Sequence, residues 1–212
     1  MASSRGFDRL VNFSDAVVAI AITILVLPLV DEASNLGTES VNAFLESVAT
    51  QFYVFLFSFA VIAYYWFLHH SFFDQLKQVD MPIMLLNMLW LLGIVFIPFP
   101  TVLIVDSRGP AGWANLIYLA TMMLLALTQL FMKLHVRKHP ELLGSHVTRL
   151  KGLIGSEVVA VLLAISIVIA VTFPTIGLYA LMLLWLTPFI ASFLARRKYG
   201  KSSAHKSSLN NR

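Results

Sequence analysis

The sequence predicts an all-α, polytopic membrane protein with six transmembrane helices and both termini cytoplasmic. Three observations lead there. Apolar residues make up 58% of the 212 positions and charged residues only 12%, against about a quarter charged in soluble domains. The mean hydropathy is +0.81. The apolar character also runs from Phe13 to Leu194 without a polar block long enough to be a separate globule.

A spanning helix needs about 20 mostly apolar residues, because each rises ~1.5 Å through a hydrocarbon layer of roughly 30 Å. Six stretches qualify: Phe13 to Val30, Val48 to Leu68, Pro82 to Val105, Trp113 to His135, Leu153 to Phe173, and Ile176 to Leu194. Gly109, Pro110, Pro174 and Gly177 punctuate the turns between them. Residues 1–200 read as one membrane domain, and 201–212, polar and rich in Ser and Lys, as a disordered cytoplasmic tail. The mixed signs of Arg5, Asp8, Arg9 and Asp15 argue against a signal peptide, so the first helix is expected to stay. Without cysteine there is no disulfide framework, thiolate metal site or cysteine nucleophile.

Orientation follows from the basic residues, which are retained in short cytoplasmic loops. Of the fifteen Lys and Arg, only Arg108 falls on the far side. Arg5, Arg9, Lys77, Lys133, Arg137, Lys138, Arg149, Lys151 and the six that follow helix six share one side. The opposite face carries Asp31, Glu32, Glu39, Glu46 and Asp106. Such a rim concentrates cations, although ordinary solvated loop charge looks the same. Basic residues spread along a membrane face exclude a nucleic-acid partner; the expected partner is lipid.

The first helix opens Arg9-x-x-x-Phe13-Ser14-Asp15. A charge deep in a membrane helix costs at least a few kcal/mol, so an acid there normally faces protein or water. Asp15 reads either as a helix-start carboxylate favoured by the helix dipole or as part of a polar network. In the network reading, Arg9, Ser14 and Asp15 meet Trp66, His69 and His70 at the end of helix two and Asn87 in helix three, all at the cytoplasmic edge. Residues three and four apart share a helix face, so Ala16, Ile20, Thr23 and Leu27 form a stripe. Around a symmetry axis this stripe would build an apolar ring at Ile20, a hydroxyl ring at Thr23 and a second apolar ring at Leu27. Lipid-facing or core packing gives the same periodicity.

Arg-x-x-x-Phe-Ser-Asp, followed by Ile, Thr and Leu along the same helix, resembles the potassium-channel family of transmembrane protein 175. Tyr65-Trp66-x-x-His69-His70-x-x-Phe73, Asn87 and Pro98-Phe99-Pro100-Thr101 are similar to its bacterial members. The resemblance covers the first half of the chain. It implies a homotetramer with one central pore lined by the first helix, and a bottleneck at Ile20 with Thr23, Leu27 and Ala16 on the pore face. Arg9, Phe13, Ser14, Asp15, Trp66, His69, His70 and Asn87 would support that helix. One six-helix repeat implies a prokaryotic source and the plasma membrane. The permeant ion would be K+, with Na+ or other monovalent cations as further candidates, and no cofactor is expected. The Thr-Val-Gly-Tyr-Gly segment is absent, so selectivity would come from side chains and be modest.

A proton-coupled transporter using Asp15 or Glu157 is the alternative. An enzyme is not expected, because no carboxylate pair, serine-lysine pair or His-Glu-x-x-His motif is present. His69 and His70, about 100° apart on a helix, do not form a metal pair. Asn87, Thr128 and Gln129 suit hydrogen bonds to neighbouring helices, and Trp66, Trp90, Trp113 and Trp185 suit packing or interfacial anchoring.

Overall fold

The computed structural model describes residues 2–35, 37, 40–106, 112–145, 147, 152–173, 183–184 and 186–194. It contains α1 (Ala2–Ile24), α2 (Leu27–Ser34), α3 (Val41–Ser47), α4 (Ala49–Phe73), α5 (Met81–Phe96), α6 (Pro98–Asp106), α7 (Gly112–Lys138) and α8 (Leu153–Thr172), with a 3₁₀ turn at Pro140–Leu142. Among the described residues, five helical segments are long and apolar enough to cross a membrane: Arg5–Ser34, Ala49–Phe73, Met81–Val105, Gly112–Lys138 and Leu153–Thr172. The protein is an all-helical, multi-pass membrane protein. Residues 176–182 of the expected sixth helix lie outside the described residues, as do Arg108, Arg149, Lys151, Trp185 and the segment 201–212; residues 187–194 are helical.

Two expected helices are broken, and prolines explain both breaks. The first apolar run is interrupted at Leu25 and Val26. Pro28 has no N–H to give to the Ile24 carbonyl, and the chain tightens instead, with Val26 N–H reaching Thr23 O at 3.4 Å and Leu29 N–H reaching Val26 O at 3.0 Å. The third run is interrupted at Ile97, because Pro98 and Pro100 cannot donate to the carbonyls of Ile94 and Phe96. Ile97 N–H turns to Ile94 O at 3.2 Å there. The short helix α3 was not expected; the Ser40 hydroxyl caps it by accepting from Ala43 N–H at 3.3 Å.

Helix α7 is the central element, packed against α8, α5 and α6. Its contact with α5 is close at Gly93, where an added Cβ would lie 2.7 Å from Leu125 Cδ2. Helix α1 packs on α4 and α5 through Ser14, Val18, Ala21 and Leu25, spaced to fall on one face and all buried. Successive spans alternate in direction: the start of α1 meets the end of α4, and the end of α7 meets the start of α5.

At the basic end the α4–α5 and α7–α8 connections are joined by a single antiparallel bridge between Leu76 and Leu143. Lys77 N–H bonds to Leu142 O at 3.0 Å and Gly144 N–H to Gln75 O at 2.9 Å.

Candidate functional site: the first helix and its docking contacts

Ser14 is fully buried. Its single hydroxyl proton goes to Leu10 O, four residues back, at 2.9 Å. The Ser14 oxygen must therefore accept from Asn87 Nδ2, which lies 2.9 Å away. That fixes the amide: Asn87 Oδ1 faces His69 Nε2 at 2.7 Å, and Nε2 must carry the proton. The His69 ring stacks on Trp90, with centroids 4.0 Å apart, and on Phe73 at 4.4 Å. A chain of hydrogen bonds thus ties α1 to α5 and α4 inside the bundle. Each member has a partner, which low-dielectric burial demands.

A second contact lies beside it. Trp66 Nε1 donates to Asp15 Oδ1 at 2.8 Å, giving the half-buried carboxylate a donor within the protein. Trp66 in turn stacks on His70 at 5.3 Å, and His70 Nε2 stands 3.7 Å from Asp74 Oδ2. His69 and His70 therefore diverge, one into the bundle and one toward its surface. Among the described residues no group of three or more His, Asp or Glu is placed to hold a metal ion.

Arg9 and Phe13 do not join this network. Both are exposed, because Phe13 is about 100° round the helix from Ser14. They lie on the side of α1 that also presents Ala16, Ile20 and Thr23, all exposed, with Ile20 at 59%; Leu27, 51% exposed, comes after the break as the first residue of α2. The stripe thus faces away from its own bundle, so core packing within the subunit does not account for it. Thr23 gives its hydroxyl proton to Ile20 O at 2.8 Å, which leaves the oxygen lone pairs outward.

The remaining polar and aromatic residues divide between contacts the sequence suggests and ones it does not. Lys133, counted among the loop charges, is 3% exposed, with Nζ 2.8 Å from Ser156 Oγ at the start of α8. Thr128 bonds to carbonyls of its own helix, unlike Gln129, which crosses to Leu68 O at 3.0 Å. Trp90 is fully buried and Trp113 is 80% exposed. Glu157 is partly exposed on α8. Asp80 caps α5 through Ile83 N–H at 3.2 Å and accepts from His135 Nε2 at 2.6 Å. Partial burial would raise the Asp80 carboxyl, but those two hydrogen bonds outweigh it and hold the group below its ordinary value.

The fold and these contacts define a polytopic helical membrane protein whose first helix is docked by buried side-chain hydrogen bonds and left bare along the opposite face. Residues 9–98 match the family model described as endosomal/lysosomal potassium channel TMEM175. A potassium channel of Chamaesiphon minutus is 37% identical over 99 residues, 46% of this chain and 49% of that protein. A potassium channel of Streptomyces collinus is 36% identical over 101 residues, 46% and 47% of the two chains. The endosomal/lysosomal proton channel TMEM175 of Danio rerio is 25% identical over 146 residues, 69% of this chain and 28% of that one. The matched stretch thus spans about half the length of the bacterial relatives. The crystal structure of a lysosomal potassium-selective channel TMEM175 homolog from Chamaesiphon minutus shares the fold, with a TM-score of 0.68 at 23% identity over 91% of this chain and 98% of that one. Residues 9–98 are thus similar to the TMEM175 family, and the relatives named here are ion channels and not enzymes.

Proposed function

We propose that four copies of this chain assemble into a potassium-preferring cation channel with a central pore lined by α1 and narrowed by Ile20. The observation that carries this reading is the exposed stripe of Ala16, Ile20 and Thr23, continued past the α1–α2 break by the exposed Leu27, on a helix whose other face is docked by Ser14 and Asp15. A face turned away from its own subunit is available to line a shared axis, and the names of the bacterial relatives supply the ion. Ile20 is the dewetting constriction. Thr23 offers hydroxyl oxygens, which replace a cation's hydration only in part, so the preference for K+ over Na+ is modest. The distribution of Lys and Arg supports cytoplasmic termini in a plasma membrane.

Single-channel recording in planar bilayers tests the class: discrete openings are expected, and their absence with retained slow flux would favour a transporter. Ile20→Cys locates the pore. Block of that variant by a thiol reagent, with the cysteine-free wild type unaffected, is the expected result. Proton permeation is a second reading, favoured by the vertebrate relatives named as proton channels. A pH gradient that shifts the reversal potential would support it. A proton-coupled transporter would need Asp15 or Glu157 as its proton carrier, and in that case Asp15→Asn or Glu157→Gln abolishes coupled uptake.

A further inference from the structure

The end of the bundle that carries Asp31 and Glu32 holds a cavity of about 500 Å³ bounded by the α1–α2 break, the first turns of α4, and α6. This volume falls within the roughly 300 to 1,000 Å³ of small-molecule sites. Both proline breaks border it, since Pro28 and Pro98 are in its walls. Helices interrupted in this way do not keep continuous contact with a straight neighbour, and the gap between them is the cavity.

Its chemistry is two-sided. The body is apolar, formed by Leu25 on one side, Phe55 on another, and Phe99 and Val102 on a third. Asp31 and Glu32, both exposed, are the only charged groups among its described lining residues. The Thr101 hydroxyl has already given its proton to Ile97 O at 2.9 Å and lies 3.0 Å from Ser58 Oγ, so it adds no free donor for an anion. An anionic molecule is repelled at the rim and a neutral apolar one gains only the walls. A cation with an apolar body satisfies both regions.

We propose that this cavity is a binding site for a hydrophobic amine in its protonated form, with the apolar body among Leu25, Phe55 and Val102 and the ammonium at Asp31 and Glu32. Because the wall includes Ile24, Leu25 and Leu27, the bound amine touches the break at the end of the helix assigned to the pore. Binding itself requires no ion flux, so the site and the pore reading stand or fall separately.

The test uses the full chain in nanodiscs and three probes of one shape: 1-adamantylamine, 1-adamantanol and 1-adamantanecarboxylate. Binding is read by ligand-observed NMR against empty nanodiscs. The amine is expected to bind about three- to tenfold more tightly than the alcohol, the range two exposed ion pairs provide, and the carboxylate more weakly still. Asp31→Asn combined with Glu32→Gln should bring the amine down to the alcohol's affinity. Filling the cavity with Val102→Trp should remove binding of both. Equal binding of amine and alcohol, amine affinity unchanged by the double substitution, or no binding of any probe because lipid chains fill the space would each overturn the proposal.

Discussion

Asn87 donates to Ser14 at 2.9 Å with its amide oriented by the proton that Ser14 has already given to Leu10 O. The same amide accepts from His69, so one side chain holds three helices. Asn87→Leu would leave the His69 N–H without an acceptor and Ser14 without its donor. An unmade buried hydrogen bond costs about 1 to 3 kcal/mol, and the expected outcome is a clear drop in thermal stability in detergent. Ser14→Ala, which leaves only the Asn87 amide short of a partner, should cost less. A stability equal to wild type for Asn87→Leu would mean that packing alone docks α1.

The Trp66 to Asp15 bond is charge-assisted, and such bonds are roughly twice as strong as neutral ones. Asp15→Asn keeps an acceptor at 15 but removes the charge, so α1 should remain docked less firmly. Trp66→Phe removes the donor and leaves a half-buried carboxylate unpaired, which is the larger perturbation. The two variants should rank in that order in stability and in the fraction of chain recovered as a single oligomeric species on size exclusion. The reverse order would assign Asp15 a role other than accepting from Trp66.

These contacts were partly legible in the sequence, and the reasons differ by residue. Ser14, Asp15, His69 and Asn87 stand out as polar residues inside apolar runs, and the cost of leaving them unsatisfied predicts that they meet. Arg9 and Phe13 were grouped with them because they belong to the same motif, although helical phase turns positions 13 and 14 to different faces. The breaks at Val26 and Ile97 follow from Pro28, Pro98 and Pro100, but a tally of apolar length registers only one long run in each case. Lys133 gave no sign of its burial: a lysine near the end of an apolar run reads as loop charge, and its partner Ser156 comes from a helix that begins fifteen residues after α7 ends. Nor does any local pattern mark the bridge between Leu76 and Leu143, which depends on the tertiary meeting of two loops.

The Asp80 and His135 pair predicts how stability changes in acid. The folded Asp80 carboxyl lies below its ordinary value, so its contribution is fully present above the unfolded value of about 3.9 and is lost as pH falls through the folded one. His135→Ala removes the principal hydrogen bond that lowers the group. Unfolding followed between pH 5 and 2 should then show a shallower dependence than wild type. An identical slope would place the acid sensitivity elsewhere.

Gly93 allows α5 to approach Leu125 on α7. Leu125 is fully buried, so the 2.7 Å approach of a new Cβ cannot be relieved by swinging the side chain into open space. Overpacking of this kind costs about 1 to 3 kcal/mol. Gly93→Ala should lower the unfolding temperature, and Gly93→Ala combined with Leu125→Ala should recover part of the loss beyond additivity.

In the proposed pore, Thr23 separates hydroxyl chemistry from pore width. Its proton is committed to Ile20 O at 2.8 Å, so the oxygen it presents on the exposed face acts as an acceptor, the polarity a cation requires. Thr23→Val keeps the branched shape and removes that oxygen, and the permeability ratio of K+ to Na+ should fall toward unity with little change in conductance. Ile20→Ala does the opposite: it widens the apolar constriction, and conductance should rise while the hydroxyl ring remains. Reversal potentials under bi-ionic conditions read the first effect and single-channel amplitudes the second. If Thr23→Val leaves the ratio unchanged, Thr23 lies off the conducting path, and the face of α1 that lines it must be displaced toward Ile24, which is also exposed.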